Sequence, residues 1–170
     1  MSRLETITYL EMTGPDELSP AAPVPAVTLE RAADDWRLIR EIHGRTGKAY
    51  HWGGLIWTDG QWAGRLANPQ LSHWIIRHGT DAAGLAEIEV QPGGDVQIGT
   101  FGLVPEFVGR GLGGYALTLV IRQAWETEPV GAPAVRRVWL HTSTLDHPNA
   151  LPNYQKRGLR AFRTEIRPRI

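Results

Sequence analysis

With 170 residues, 42% of them hydrophobic, the chain is long enough to bury one ordinary core, and 18 basic side chains balance 18 acidic ones to a formal net charge of +0. That balance argues against nucleic acid as a partner, the absence of cysteine excludes disulfides and thiolate chemistry, and no run nears the roughly 18 apolar residues of a membrane span. The opening Met1-Ser2-Arg3-Leu4-Glu5 lacks a charged-then-apolar leader pattern, so a soluble, cytoplasmic protein without a membrane partner is expected.

The zero is a cancellation: residues 1–35 hold seven acidic and two basic side chains, and residues 155–170 hold six basic and one acidic. Pro15, Pro20, Pro23 and Pro25, set among Gly14, Ser19 and alanines, block both helix and central strand over residues 13–26. Residues 1–25 are therefore expected to form an N-terminal extension with at most an edge strand at Thr6–Met12, and residues 26–170 a single domain. From Val27 the alternation of Val27, Leu29 and Arg31 predicts a strand, after which Asp34 caps a helix carrying Trp36, Ile39 and Ile42 that Gly44 ends. Thr58 and Gln61 make a capping box for a second helix, with Trp62 and Leu66 on its buried stripe. Leu71–His78, Ala83–Gln91 and Asp95–Val104 read as strands, the last two joined by Pro92-Gly93-Gly94. Placing Ile88 and Val90 on one core face with Ile98 and Val96 sets Glu89 opposite Gln97 and Glu87 opposite Gly99. A glycine-rich turn, a helix over about residues 111–127, a strand at Val135–Thr142, a short helix at Asn149–Arg157 and a strand at Leu159–Ile166 complete the chain. This order predicts an α+β fold: a mixed, mostly antiparallel central sheet with one βαβ crossover, flanked by about four helices.

Phe107-Val108-Gly109-Arg110-Gly111-Leu112-Gly113-Gly114 falls between an apolar strand and a long helix, where free backbone amides and the helix dipole converge on an anion. Four glycines in six residues exceed what a tight connection needs; they let a phosphate approach the backbone, and Arg110 adds a charge. Gly109, Gly111 and Gly114 also satisfy a G-x-G-x-x-G fingerprint. The dinucleotide reading fails on context, because the unit follows about a hundred residues of other structure and the next strand ends in His141-Thr142 rather than an acidic residue. His141, Ser143, Asp146 and His147 lack a third metal ligand and a nucleophile elbow, so neither a metal nor a hydrolase triad is expected.

Three separated stretches resemble the Gcn5-related N-acetyltransferase (GNAT) family over residues 27–166. Val27-Thr28-Leu29-Glu30-Arg31-Ala32-Ala33-Asp34-Asp35-Trp36 resembles the family's first strand and Asp-led helix. Gly109-Arg110-Gly111-Leu112-Gly113-Gly114 matches its Q/R-x-x-G-x-G/A pyrophosphate loop, with Val108 in the usual Gln or Arg position, which removes a side chain and leaves the amides. Ala150-Leu151-Pro152-Asn153-Tyr154-Gln155-Lys156-Arg157-Gly158-Leu159 matches its A-x-x-x-Y-x-x-x-G-F ending.

The resemblance implies a GNAT-like acyl-coenzyme A N-acyltransferase fold whose fourth and fifth strands splay to admit acetyl-coenzyme A. Gly102, Leu103 and Val104 would line the gap. Val108, Gly109, Arg110, Gly111, Leu112, Gly113 and Gly114 would hold the pyrophosphate, and His147 or Asn149 would stand where the family commonly has a cofactor-contacting Asn. Tyr154 matches the acid that protonates the departing thiolate. The position that often carries the family's base is Gln97, which accepts no proton at neutral pH. Glu89 and Glu87, on the same sheet face by register, are the substitutes, with Gly99 leaving space for substrate; the alternatives are that both occupy a solvated strand face, or that a water chain removes the proton. Trp52 and Trp57, in the loop Tyr50-His51-Trp52-Gly53-Gly54-Leu55-Ile56-Trp57, read as an aromatic wall for an acceptor with an apolar or planar part, next to ordinary core packing. The activity implied is direct transfer of an acetyl group from acetyl-coenzyme A to a primary amine of a small molecule in a ternary complex, by a monomer or homodimer. Such transfer needs no protein nucleophile, in keeping with the absence of cysteine. The alternative is a non-catalytic acyl-coenzyme A-binding or sensing domain, suggested by Gln97.

Overall fold

A computed structural model describes residues 4–32, 36–50 and 52–169. Its strands are β1 (Leu4–Met12), β2 (Val27–Arg31), β3 (Leu71–His78), β4 (Asp81–Gln91), β5 (Asp95–Leu103), β6 (Arg137–Ser143) and β7 (Arg160–Pro168). Its α-helices are α1 (Trp36–Gly47), α2 (Asp59–Ala67), α3 (Gly113–Trp125) and α4 (Ala150–Lys156). One mixed sheet holds the strands in the order β2-β3-β4-β5-β6-β1-β7, antiparallel throughout except for the parallel pair β5–β6 that α3 connects. This is the expected α+β arrangement.

Local signals account for most of these elements. Thr58 and Gln61 close the capping box at the start of α2, Oγ1 of Thr58 accepting from Gln61 N at 3.2 Å and Gln61 Oε1 from Thr58 N at 2.8 Å. Asp34, the expected cap of α1, lies outside the described residues together with Ala33, Asp35 and His51. Contrary to expectation Gly44 does not end α1, which runs on to Gly47. A glycine inside a helix costs only about 1 kcal/mol against alanine, and burial of Ile39, Ile42, His43 and Thr46 carries the helix past it.

Two expectations about the sheet need correction. The first concerns Thr6–Met12, which forms no edge strand: β1 lies between β6 and β7, bonded on both sides. The proline run starts only after Met12, so nothing interrupts the ladder, and Ile7, Leu10 and Met12 are buried. The placement also resolves the charge segregation, since acidic residues from the start meet basic residues from the end in Glu5–Arg167 and Glu17–Arg160. The second concerns Glu87, which pairs with Thr100 rather than Gly99. Ile88↔Ile98, Glu89↔Gln97 and Val90↔Val96 follow the expected register, but a bulge at Gly99 shifts it beyond Ile88.

Helices cover the sheet unevenly. α1 and α2 pack across β4 and β3 on one face, and α3 packs across β2, β5 and β6 on the other. The core has two parts. Leu117, Val120 and Ile121 of α3 meet Ile88, Val96, Ile98, Val138 and Leu140, while Ile39, Ile42 and Trp62 meet Ile75 and Leu85. The proline-rich segment crosses α3 and α4 as a strap, with Ser19 N donating to Arg157 O at 2.9 Å and Ala21 N to Thr118 Oγ1 at 3.1 Å.

Candidate active site

β5 and β6 pair only from Asp95↔Arg137 to Gln97↔Trp139 and then part. The gap opens a cleft of about 1230 Å³, above the roughly 300–1,000 Å³ of ordinary small-ligand pockets. It passes through the plane of the sheet, from the α3–α4 side to the α1–α2 side.

The first end is built from backbone. Gly109 and Gly111 both adopt φ +76°, a left-handed conformation that glycine takes without strain, and they turn the chain into α3. Among the described residues no hydrogen bond occupies the amides of Gly109, Arg110, Gly111 or Leu112, and the first turn of α3 adds its own free donors. Val108, Gly109, Gly111, Leu112, Gly113 and Gly114 line the cleft. Arg110 does not; it lies over the Phe107 ring at 4.8 Å. Arg157 takes the basic position instead: it lines the cleft beside Gly114, and its Nε is buried without a partner. Asn153 fixes the turn by donating to Gly113 O at 3.2 Å.

Midway, Gly102 and Leu103 line the gap, whereas Val104 is fully buried and its amide is spent on Ala83 O at 2.8 Å. Tyr154 of α4 is buried against Phe101 and lines the cleft, and its hydroxyl makes no hydrogen bond among the described residues. Burial raises its pKa above the ordinary phenol value, so it remains a proton donor throughout the neutral range. His147 and Asn149 line the cleft on the far strand's side; His147 Nδ1 accepts from Asn149 N at 3.0 Å, and its ring meets Tyr50 edge-on at 6.2 Å.

The second end is built from side chains. Trp52 and Trp57 line it, and His43 sits among three tryptophans, with Trp52 and Trp62 at 5.0 Å and Trp57 at 6.2 Å between centroids. Burial pushes the His43 pKa down to about 4, so the imidazole is neutral, and its Nε2 and the neighbouring Thr46 Oγ1 are buried without partners. Gly102 admits this wall: a Cβ there would stand 2.5 Å from Thr46 Cγ2 and 3.0 Å from Trp52 Cη2.

Glu87 and Glu89 fall outside the lining. Glu87 is buried behind it, its two oxygens held by Nε and Nη2 of Arg65 and by His73 Nε2 at 2.8 Å. Burial pushes this carboxyl up, but the hydrogen bonds from His73 and Arg65 and the charge of Arg65 outweigh it and hold it down at about 2. Its Oε1 fills the space over Gly99, where a Cβ would approach it to 2.9 Å. Arg65 reaches the lining stacked on Trp57 at 4.9 Å. Gln97 accepts from Gln91 Nε2 at 3.1 Å and also stays off the lining, while Gly99 is on it.

Glu5, Ile7, His43, Thr46, Tyr50, Arg65, His141 and Arg167 line the cleft and were not singled out from sequence as its residues. No short motif signals them, because they converge from β1, α1 and the turn after it, α2, β6 and β7. Among the described residues no group of three or more His, Cys, Asp or Glu is placed to hold a metal ion, and no helix is long and apolar enough to cross a membrane.

Comparison with known proteins agrees with this fold. The model of the acetyltransferase (GNAT) family matches residues 34–159. Similar solved structures include a GCN5-related N-acetyltransferase from Kribbella flavida, at 18% identity and a TM-score of 0.66 over 94% of this chain and 55% of that one. Another, from Sphaerobacter thermophilus, is 14% identical with a TM-score of 0.63 over 96% of this chain and 50% of that one. An aminoglycoside acetyltransferase from an uncultured soil metagenomic sample, in complex with trehalose, is 14% identical with a TM-score of 0.59 over 76% of this chain and 86% of that one. At these identities the likeness is one of fold. The chain spans about half the length of the first two. No curated protein matches.

Proposed function

Since the chain belongs to the acetyltransferase (GNAT) family, whose activity is acyl transfer, we propose that it moves an acetyl group from acetyl-coenzyme A to a primary amine of a small molecule. The observation that carries the reading is the cleft, which joins a helix N-terminus with free amides to an aromatic chamber across the sheet. These residues fit such a donor: the amides of Gly109–Leu112 and the first turn of α3 suit its phosphates, and the unpartnered Nε of Arg157 adds charge beside them. When bound, the donor supplies a thioester whose carbonyl carbon an amine can attack. The unpaired edge of β5 at Gly102 and Leu103 aligns the pantetheine arm and polarises the carbonyl oxygen. Tyr154, kept protonated by burial, gives its proton to the leaving sulfur. Trp52 and Trp57 flank the amine's apolar or planar part.

The test is thiol release from acetyl-coenzyme A by the purified protein with a panel of primary amines. Acetylation of an amine bearing a planar or apolar group is expected. A second reading, a non-catalytic acyl-coenzyme A sensor, draws on the absence of Glu87, Glu89 and Gln97 from the cleft lining. Tight donor binding by calorimetry with no thiol release across the panel would establish the sensor instead.

A further inference from the structure

Resting on the acetyl-transfer reading, we infer that His141 is the base that takes the proton the attacking amine loses. β5 and β6 last pair at Gln97↔Trp139, and two residues beyond that point on each strand stand Gly99 and His141, both lining the cleft. Side chains alternate along a strand, so His141 leaves β6 on the same face as Trp139, toward the acceptor chamber. The two rings lie 6.4 Å apart, and the Tyr9 ring of β1 packs against both, 5.5 Å from His141 and 6.4 Å from Trp139. The residue is otherwise exposed and makes no hydrogen bond among the described residues, so its ring is free to accept a proton and release it to water.

Other proton acceptors near the cleft are engaged or misplaced. Glu87 is locked to Arg65 and His73 behind the lining. Glu5 accepts from Arg167 Nε at 2.8 Å and Ser143 Oγ at 2.8 Å. Asp146 accepts from Thr142 Oγ1 at 2.6 Å and Ser143 N at 2.9 Å. His43 Nε2 is sealed among tryptophans, and His147 Nδ1 is occupied by Asn149 N with the ring packed edge-on against Tyr50. The groups around His141 are Tyr9 of β1, Trp139 of β6, Arg167 and Glu165 of β7, and Asp146. Partial burial and the charge of Arg167 lower its pKa, against the opposing pull of Asp146 and Glu165, so the free imidazole predominates at pH 7.

In the step itself the amine nitrogen bonds to the thioester carbon and the carbon–sulfur bond breaks. The N–H proton passes to His141, and the sulfur takes the Tyr154 proton. Transfer of the His141 proton to the Tyr154 phenolate through water then restores both groups. The sum is amine plus thioester giving amide plus thiol.

The experiment compares H141Q with the wild type, using an amine found in the thiol-release panel. kcat/KM for the amine should fall roughly 100-fold at pH 7, the gap narrowing at high pH where the amine needs no help, with the Kd of acetyl-coenzyme A unchanged. H141A should regain rate with added imidazole. In the ligand-free protein, the histidine ring resonance that H141Q removes should titrate below the ordinary value of about 6.5. Parallel pH–rate profiles for H141Q and wild type would overturn the base assignment while leaving acetyl transfer standing. Wild-type silence toward every amine would overturn both.

Discussion

At the donor end the cleft presents main-chain amides from Gly109 to Leu112 and the first turn of α3; at the acceptor end it presents side chains from five elements that hold one another in place. An amide is there whatever residue carries it. The donor end therefore keeps its chemistry although Val108 replaces the family's Gln or Arg and Arg110 stacks away from the cleft. At the acceptor end the buried groups lean on one another: Arg65 on Glu87 and Trp57, Glu87 on His73, His43 on three tryptophans. A site made of backbone is robust to substitution and indifferent to pH. A site made of buried side chains is open to both.

Acid should separate the two ends most strongly. His43 has a folded pKa of about 4 against an ordinary 6.5, so the unfolded chain protonates first and stability is lost as pH falls from 6.5 to 4. Glu87, at about 2 against 4.5, contributes stability above pH 4.5 that is lost as pH falls from 4.5 toward 2. Each shift corresponds to roughly 3 kcal/mol. Urea unfolding at a series of pH values should show both declines, and H43L should flatten the upper one; an unaltered slope in H43L would place its cause elsewhere.

Glu87→Gln should cost about 3 kcal/mol in the same assay at pH 7, because it leaves the Arg65 charge without its partner. Glu89→Gln, whose residue accepts only a long 3.4 Å bond from Gln91, should change stability by less than about 0.5 kcal/mol. Equal effects would erase the distinction between the buried network and the ordinary strand face.

Tyr154→Phe tests the point where the ends meet. It should lower kcat at least about 100-fold, or about 2.7 kcal/mol, with acetyl-coenzyme A affinity kept within roughly twofold by calorimetry. Loss of binding in step with rate would make Tyr154 a packing residue.

The donor end should respond less than Tyr154 does. Gly111→Ala forces a side chain into φ +76° at a cost of about 1–2 kcal/mol, and donor affinity should fall about tenfold. Arg110→Ala should change that affinity less than about threefold. A larger loss for Arg110 would mean that side chains, not amides, hold the phosphates.

What could be read from the sequence follows the same division. The glycine loop, the Thr58–Gln61 box and the Tyr154 motif are local, each readable within about ten residues. The register of β4 on β5 was legible as far as Ile88, where alternation of apolar residues decides it, and not beyond, because the bulge at Gly99, where the Glu87 carboxylate lies over the chain, breaks the alternation. Arg65 carried no signal on α2, since its partner arrives from another strand. Nothing local marked Thr6–Met12 as interior; its neighbours lie more than a hundred residues further along.

That last placement governs how the chain must fold. Ile7 pairs with Ser143 on one side and Glu165 on the other, so β1 has no partner until β6 and β7, more than a hundred residues further along, have been made. Closing so long a loop is slow, and until it closes Leu10 and Met12 stay exposed along an unpaired strand. The sheet around β1 is thus completed only when β6 and β7 reach it.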